Sequence, residues 1–209
     1  MIKTSNILHH YSKEQRFSFP DLNCNTSETL LVLGQSGVGK TTLLHILAGI
    51  LKPKEGKVII DSVSLYEQSG NKLDKFRGKN IGLVFQKPHF VQSISAEENL
   101  MLTQKMAGQK IDRKKVQNLL ERLGIQKRKT AKAHQMSQGE QQRLSIARAL
   151  INDPKVILAD EPTSALDDNN CMEAIKLLSF HAEEVNASLI VVTHDNRLKD
   201  TFSNQLILN

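Results

Sequence analysis

Between Gly34 and Thr41 the chain reads GQSGVGKT: three glycines in six residues, then a lysine and a hydroxyl side chain. Glycines let a backbone curl with successive N–H groups pointing inward, and a helix that starts there adds the positive end of its dipole. The product is a concave site for an anion. Gly34, Gly39, Lys40 and Thr41 stand at the fixed positions of G-x-x-x-x-G-K-[ST], the phosphate-binding loop. In that pattern Gln35, Ser36, Gly37 and Val38 supply the cradle. Lys40 reaches the β- and γ-phosphates of ATP, Thr42 lies with the nucleotide-binding residues, and the Thr41 hydroxyl helps hold Mg²⁺.

The elements that this motif requires are present. ETLLVL, residues 28–33, is an apolar run of strand length, and KTTLLHILAGIL, residues 40–51, is long enough for a helix. A glycine-rich turn that only caps a helix is the competing reading, and the order strand, loop, helix argues against it. A second strand carries acid. KVILADEP, residues 155–162, is an apolar run that ends in two carboxylates and a proline that breaks it. Strand ends line the ligand crevice of a parallel sheet, so Asp160 approaches the Mg²⁺ and Glu161 polarises an attacking water. Alone, the acidic pair could equally cap the next helix; joined to the phosphate loop it reads as the other half of a nucleotide site.

The stretch QMSQGEQQRLSIARALINDPKVILADEPTSALDD, residues 135–168, closely resembles the ATP-binding cassette (ABC) family, whose signature lies just ahead of the second carboxylate motif. The resemblance extends to Gln86 in IGLVFQKP as the Q-loop, Ser164–Asp167 (SALD) as the D-loop and His194 in LIVVTHD as the switch histidine. Tyr11 lies where the family stacks an aromatic ring on adenine. Essentially the whole chain is covered, with motif order and intervals in agreement.

What the resemblance implies is specific. The fold is α/β, a P-loop NTPase core with a parallel sheet, an N-terminal antiparallel β-subdomain near residues 2–8, 16–22 and 57–65, and an α-helical subdomain inserted at about 91–142, all in one domain, 1–209. Within the insertion, SAEENLMLTQKMAG and DRKKVQNLLERLG have helical periodicity, and each ends at a glycine, Gly108 and Gly124. Function follows the family: an ATPase with ATP and Mg²⁺, pairing head to tail as an ATP-dependent homodimer. Each ATP is then held by the phosphate loop of one copy and by Ser137 and Gly139 of the other. Glu161, His194, Gln86 and Lys40 carry catalysis, with Thr41, Gln86 and Asp160 on the metal. A separate integral membrane permease docks near Gln86–Leu100, which places the chain in the cytoplasm, peripheral to the inner face of the membrane. NKLDKFRGKNIGLVFQKPHFVQSISAEENL is most similar to the lipoprotein-release, macrolide-export and cell-division subgroup.

One departure stands out. The usual signature is L-S-G-G-Q, and here it is Met136-Ser137-Gln138-Gly139-Glu140. Ser137 with Glu140 also forms an S-x-x-E capping box for a helix whose Leu144, Ala147, Leu150 and Ile151 share an inward face. Glu140 brings a negative charge to the place where the family binds a phosphate.

Other residues carry competing readings. Tyr11 is as well explained as an exposed tyrosine, Gln86 as a surface residue and His194 as a strand-end histidine; the surrounding motifs favour the crevice for the last two. His9 and His10 are too isolated for metal ligands. The formal charge of +6 over 209 residues suits nucleic acid, anionic lipid or an anionic ligand. Its densest run, residues 110–132, has apolar residues at helical spacing and reads as a solvated helix face. Nucleic acid is disfavoured as a partner. Cys24 and Cys171 lie far apart and read as free thiols, and no run approaches the roughly 18 apolar residues of a membrane span. The competing functions are a cassette acting on the ribosome or nucleic acid, disfavoured by the single cassette, and a catalytically silent binding module, disfavoured by Lys40, Thr41, Asp160, Glu161 and His194.

Overall fold

The computed structural model describes residues 1–12, 14–163, 168–199 and 201–209. In chain order the elements are β1 (Ile2–His10), β2 (Arg16–Ser18), β3 (Asn23–Cys24), β4 (Thr29–Gly34), α1 (Lys40–Leu47), β5 (Glu55–Ile60), β6 (Val63–Ser64), α2 (Gly70–Asn80) and β7 (Ile81–Val84). There follow α3 (Ala96–Met106), α4 (Arg113–Arg122), α5 (Gln138–Leu150), β8 (Val156–Asp160), α6 (Asp168–Glu184), β9 (Ser188–Thr193) and β10 (Gln205–Leu208).

Two sheets result. One is all-parallel, in the order β10-β4-β9-β8-β7. The second is antiparallel, with β1 paired to β2, β3 and β5, and β6 on β5. Side chains of a strand alternate between faces, and both faces of the parallel sheet are buried. Thus Leu31, Ile157, Ala159, Leu189 and Val191 enter one apolar cluster, with Leu120, Leu144 and Ile175 of the helices. Their chain neighbours Leu30, Val156, Leu158, Ile190 and Val192 enter the other, with Leu43 and Leu47 of α1 and Ile2 and Ile60 of the antiparallel sheet. Burial on both faces is why these strands read as unbroken apolar runs.

Helix ends follow local chemistry. Ser95 and Glu98 close a capping box at the start of α3, Asp112 caps α4, and Gly108 and Gly124 stop the two helices with φ of 72° and 70°. Ser137 and Glu140 form the capping box expected from their spacing, and Leu144, Ala147, Leu150 and Ile151 are buried.

Two elements differ from the sequence reading. The apolar run after the phosphate loop extends to Leu51, but α1 ends at Leu47. Gly49, at φ 68°, donates to the Ile46 carbonyl and Ile50 to that of His45, so the chain leaves the helix through a Schellman turn. Tyr66 Oη, with one proton to donate, then lies within hydrogen-bond distance of both the Ile46 and the Leu51 carbonyl oxygens. Beyond Gly49, Leu51 packs against the core without a helical hydrogen bond and Ile50 is exposed. Helix α2 carries only Leu73 and Phe76 against the core and has no fully buried residue, which leaves almost no periodic signal in its sequence. Among the described residues no helix is long and apolar enough to cross a membrane.

Candidate nucleotide site

The parallel register brings the C-terminal ends of four strands side by side. Leu33 pairs with Thr193, Asp160 with Val192 and Val84 with Ala159. The phosphate loop leaves β4, Glu161 follows β8, His194 follows β9 and Gln86 follows β7. Chain segments more than a hundred residues apart therefore open on one edge, where a parallel sheet presents its ligand crevice.

The loop geometry explains two of its glycines. Gly39 has φ 97°, and a Cβ there would stand 2.6 Å from the Phe17 ring. At Gly34 a Cβ would stand 2.8 Å from the Leu208 carbonyl of β10. Lys40, the first residue of α1, is buried, and its Nζ donates to the carbonyls of Gly34 at 2.8 Å and Gln35 at 2.9 Å. The ammonium thus folds over its own loop, 3.7 Å from Glu161 Oε1. Thr41 Oγ1 donates to Asp160 Oδ1 at 3.3 Å. Burial pushes the Asp160 carboxyl above its ordinary value, opposed by the Thr41 hydrogen bond and reinforced by the Glu161 charge.

Glu161 leaves the strand with φ 45°, a left-handed conformation that turns its carboxylate back across β9. Thr193 Oγ1 donates to Oε2 at 2.8 Å, the His194 backbone N–H donates to Oε1 at 3.1 Å, and His194 Nδ1 lies 2.8 Å from Oε1. The Thr193 hydroxyl also accepts the Asp195 N–H at 3.0 Å. Asp195 in turn accepts from Thr163 Oγ1, and its carboxyl is held down at about 2, chiefly by the Arg197 side chain.

A cleft of about 330 Å³ gathers Ser36, Gly37, Gly39, Lys40, Thr41, Thr42, Gln86, Glu161 and His194, with Gln15 and Phe17. Gln35 lines the adjoining surface with Gly34 and His194. Val38 packs against the core beneath the loop. Tyr11 is exposed, and its Oη lies 3.3 Å from Thr42 Oγ1 at the rim. Ser137 and Gly139 are not among the cleft walls; Gly139 instead lines a small cavity with Gln142 and Glu173. Residues 164–167, read as the D-loop, lie outside the described residues.

The metal set suits a hard cation. Among the described residues no three His, Cys, Asp or Glu side chains gather as a metal cage. What converges is a hydroxyl, one carboxylate and, on Gln86, an amide. Mg²⁺ is held in this way when phosphates and water supply its remaining oxygens.

Sequence reading missed Thr193, the hydroxyl that joins Glu161 to the Asp195 turn. It also missed Gln142, whose Nε2 donates to the Pro162 carbonyl at 3.0 Å and ties α5 to the end of β8. Neither carries a motif; Thr193 stands beside His194 in the chain, a signal too slight to single it out.

Residues 19–164 match the family model described as ABC transporter. The chain belongs to the ABC transporter family. It is 37% identical over 204 residues to the lipoprotein-releasing system ATP-binding protein LolD of Syntrophotalea carbinolica, covering 95% of this chain and 90% of that one. It is 38% identical over 180 residues to the putative hemin import ATP-binding protein HrtA of Staphylococcus haemolyticus, covering 85% and 81%. The structure is similar, with a TM-score of 0.88 and 32% identity over 100% of this chain and 94% of the other, to a dimeric ATP-binding cassette in a post-hydrolysis state bound to ADP and Pi. It is also similar to CbiO1 of Clostridium perfringens, part of the CbiONQ transporter complex (TM-score 0.87, 30% identity, 100% and 84% covered). The fold is the ABC ATPase fold expected from the motifs. This ABC ATPase is the ATP-binding and ATP-hydrolysing subunit of a transporter, and the ribosome-directed alternative gains no support from these relatives.

Proposed function

We propose that two copies of the chain close head to tail around two ATP molecules and that closure and hydrolysis drive a conformational change in a separate membrane subunit. The observation that carries the reading is the convergence of Lys40, Thr41, Glu161, His194 and Gln86 in one cleft, with Asp160 bonded to Thr41 beside it and Ser137 and Gly139 absent from the cleft walls. The signature serine then has a role on the ATP of the partner copy. A dimeric cassette of 32% identity, bound to ADP and Pi, supports the pairing.

In this mechanism ATP draws the Lys40 ammonium from the loop carbonyls onto its β- and γ-phosphate oxygens, and Tyr11 stacks on the adenine. The N–H groups of Gly34–Thr42 surround the phosphates. Thr41, Asp160 and Gln86 would hold Mg²⁺, which when bound neutralises phosphate charge. Glu161, held by Thr193, takes a proton from water as the water oxygen attacks the γ-phosphorus and the bond to the bridging oxygen of ADP breaks. His194 orients that water and the departing phosphate. Charge repulsion between products and loss of the γ-phosphate contact then reopen the dimer.

Residues 1–209 act here as one cassette domain whose inserted helices carry both the signature and the docking face. The membrane subunit contacts the region near Gln86–Leu100, where Phe85, His89 and the exposed Val91 and Met106 line an open groove. This places the chain at the cytoplasmic face of a membrane. The likeness to relatives named for a lipoprotein-releasing system supports a membrane partner of that kind. Glu161→Gln is the test: kcat falls about 10²- to 10⁴-fold while ATP-dependent dimers accumulate. Unchanged turnover removes Glu161 from its role.

A further inference from the structure

Glu140 replaces a neutral glutamine of the usual signature, at the helix start that faces the partner's γ-phosphate in the proposed dimer. Its two carboxylate oxygens have separate duties. Oε2 accepts the Ser137 N–H at 2.8 Å, while Ser137 Oγ accepts the Glu140 N–H at 3.2 Å, closing the capping box. Oε1 accepts Nε of Arg128 at 2.8 Å. A carboxylate in the first turn stabilises the free helix by offsetting the positive pole of its dipole. A bound phosphate needs that same pole, so an uncompensated Glu140 would stabilise the empty signature and repel the ligand.

We infer that Arg128 is a positioning residue for ATP-dependent dimer closure, neutralising Glu140 so that the Ser137 helix start accepts the phosphate of the partner's ATP. The inference rests on the head-to-tail reading. Arg128 ends the turn Gln126–Arg128, where its N–H donates to the Ile125 carbonyl and its own carbonyl accepts the Ala131 N–H. The next carbonyl, of Lys129, accepts the Glu97 N–H at the start of α3. The guanidinium is therefore rooted in the connection between α4 and α5 and travels with the signature it serves. No hydrogen bond of its two terminal nitrogens is present among the described residues, so the fork that holds Glu140 keeps further donors. The Arg128 hydrogen bond, followed by that of the Ser137 N–H, holds the Glu140 carboxyl below its ordinary value, so Glu140 stays ionised and its charge has to be met.

A double-mutant cycle on the full chain carrying Glu161→Gln tests this, with ATP-dependent dimerisation read by sedimentation at fixed salt. Arg128→Ala should weaken dimerisation about fivefold per nucleotide site when Glu140 is present, the upper range for a partly exposed ion pair. With Glu140→Gln, which preserves the capping box, the same change should cost less than about twofold. Arg128→Lys keeps the charge and should recover at least half of the loss. Equal losses in both backgrounds would make Arg128 a merely structural contact and overturn the inference, as would no loss with Glu140 present. If the Glu161→Gln chain fails to dimerise in ATP at all, the head-to-tail reading fails and takes this inference with it.

Discussion

Lys40 and Glu161 have side chains 8% and 10% exposed, at the ends of strands packed on both faces. Arg128 and Glu140, at the signature helix, are 48% and 25% exposed. The two halves proposed to enclose ATP are thus held differently. On the phosphate-loop side the carboxylates are held by partners distant in the chain, Thr193 and His194 on Glu161 and Thr41 on Asp160, while two carbonyls of its own loop hold Lys40. On the signature side the order comes from a capping box four residues long and one ion pair across a turn. A site built into the core resists substitution because any change disturbs packing or leaves a buried polar group unpaired. A site built from surface caps tolerates exchange of single residues when charge is balanced locally. The chain's departures from the usual signature, Met136, Gln138 and Glu140, all fall on the second side.

After Glu161→Gln, the largest effect expected is from Lys40→Ala. Loss of charged hydrogen bonds to phosphate oxygens should weaken ATP binding by about 10- to 100-fold, measured by equilibrium titration. Undiminished affinity would break the contrast at its stronger side. Asp160→Asn sharpens it by separating stability from activity. Because burial raises the Asp160 pKa, the native chain binds that proton more tightly than the unfolded chain. Ionisation therefore costs stability as pH rises from the unfolded value of about 3.9 through the folded value, and the cost is complete above it. At neutral pH and without nucleotide, Asp160→Asn should melt higher than the native chain by about 2–4 °C for each kcal/mol relieved, while losing Mg²⁺-dependent turnover. The gap in melting temperature should close toward pH 4. A lower melting temperature at neutral pH would show that the Thr41 hydrogen bond outweighs burial.

The smallest stability effect belongs to the signature. Ser137→Ala removes one cap acceptor, about 1 kcal/mol, and should lower the nucleotide-free melting temperature by about 2–4 °C. ATP-dependent dimerisation should fall well beyond what that loss explains. A large fall in stability would show that this half is also held by the core.

The phosphate loop, the Asp160–Glu161 pair and His194 were legible because each motif is contiguous and its chemistry is set by neighbouring backbone. The capping box of α5 and the glycine stops of α3 and α4 were legible for the same reason. Helix α1 was read too long because hydrophobicity continues to Leu51, whereas its end is decided by the left-handed backbone at Gly49. Helix α2 was missed because only Leu73 and Phe76 face the core.

By itself the sequence determined the strand, loop and helix around Gly34–Lys40, the strands that end at Asp160 and at Thr193, and with them the candidate groups proposed to meet phosphate, metal and water. These depend on interactions within a few residues, where backbone conformation and periodicity decide. Tertiary structure alone decided that Thr193 grips Glu161, that Tyr11 meets Thr42, and that Arg128 covers Glu140. The first of these depends on β4, β9 and β8 lying side by side in register, and the others on how distant turns and strands pack. Strand order and turn packing come from the burial of whole apolar faces, a collective quantity that no short stretch of residues encodes.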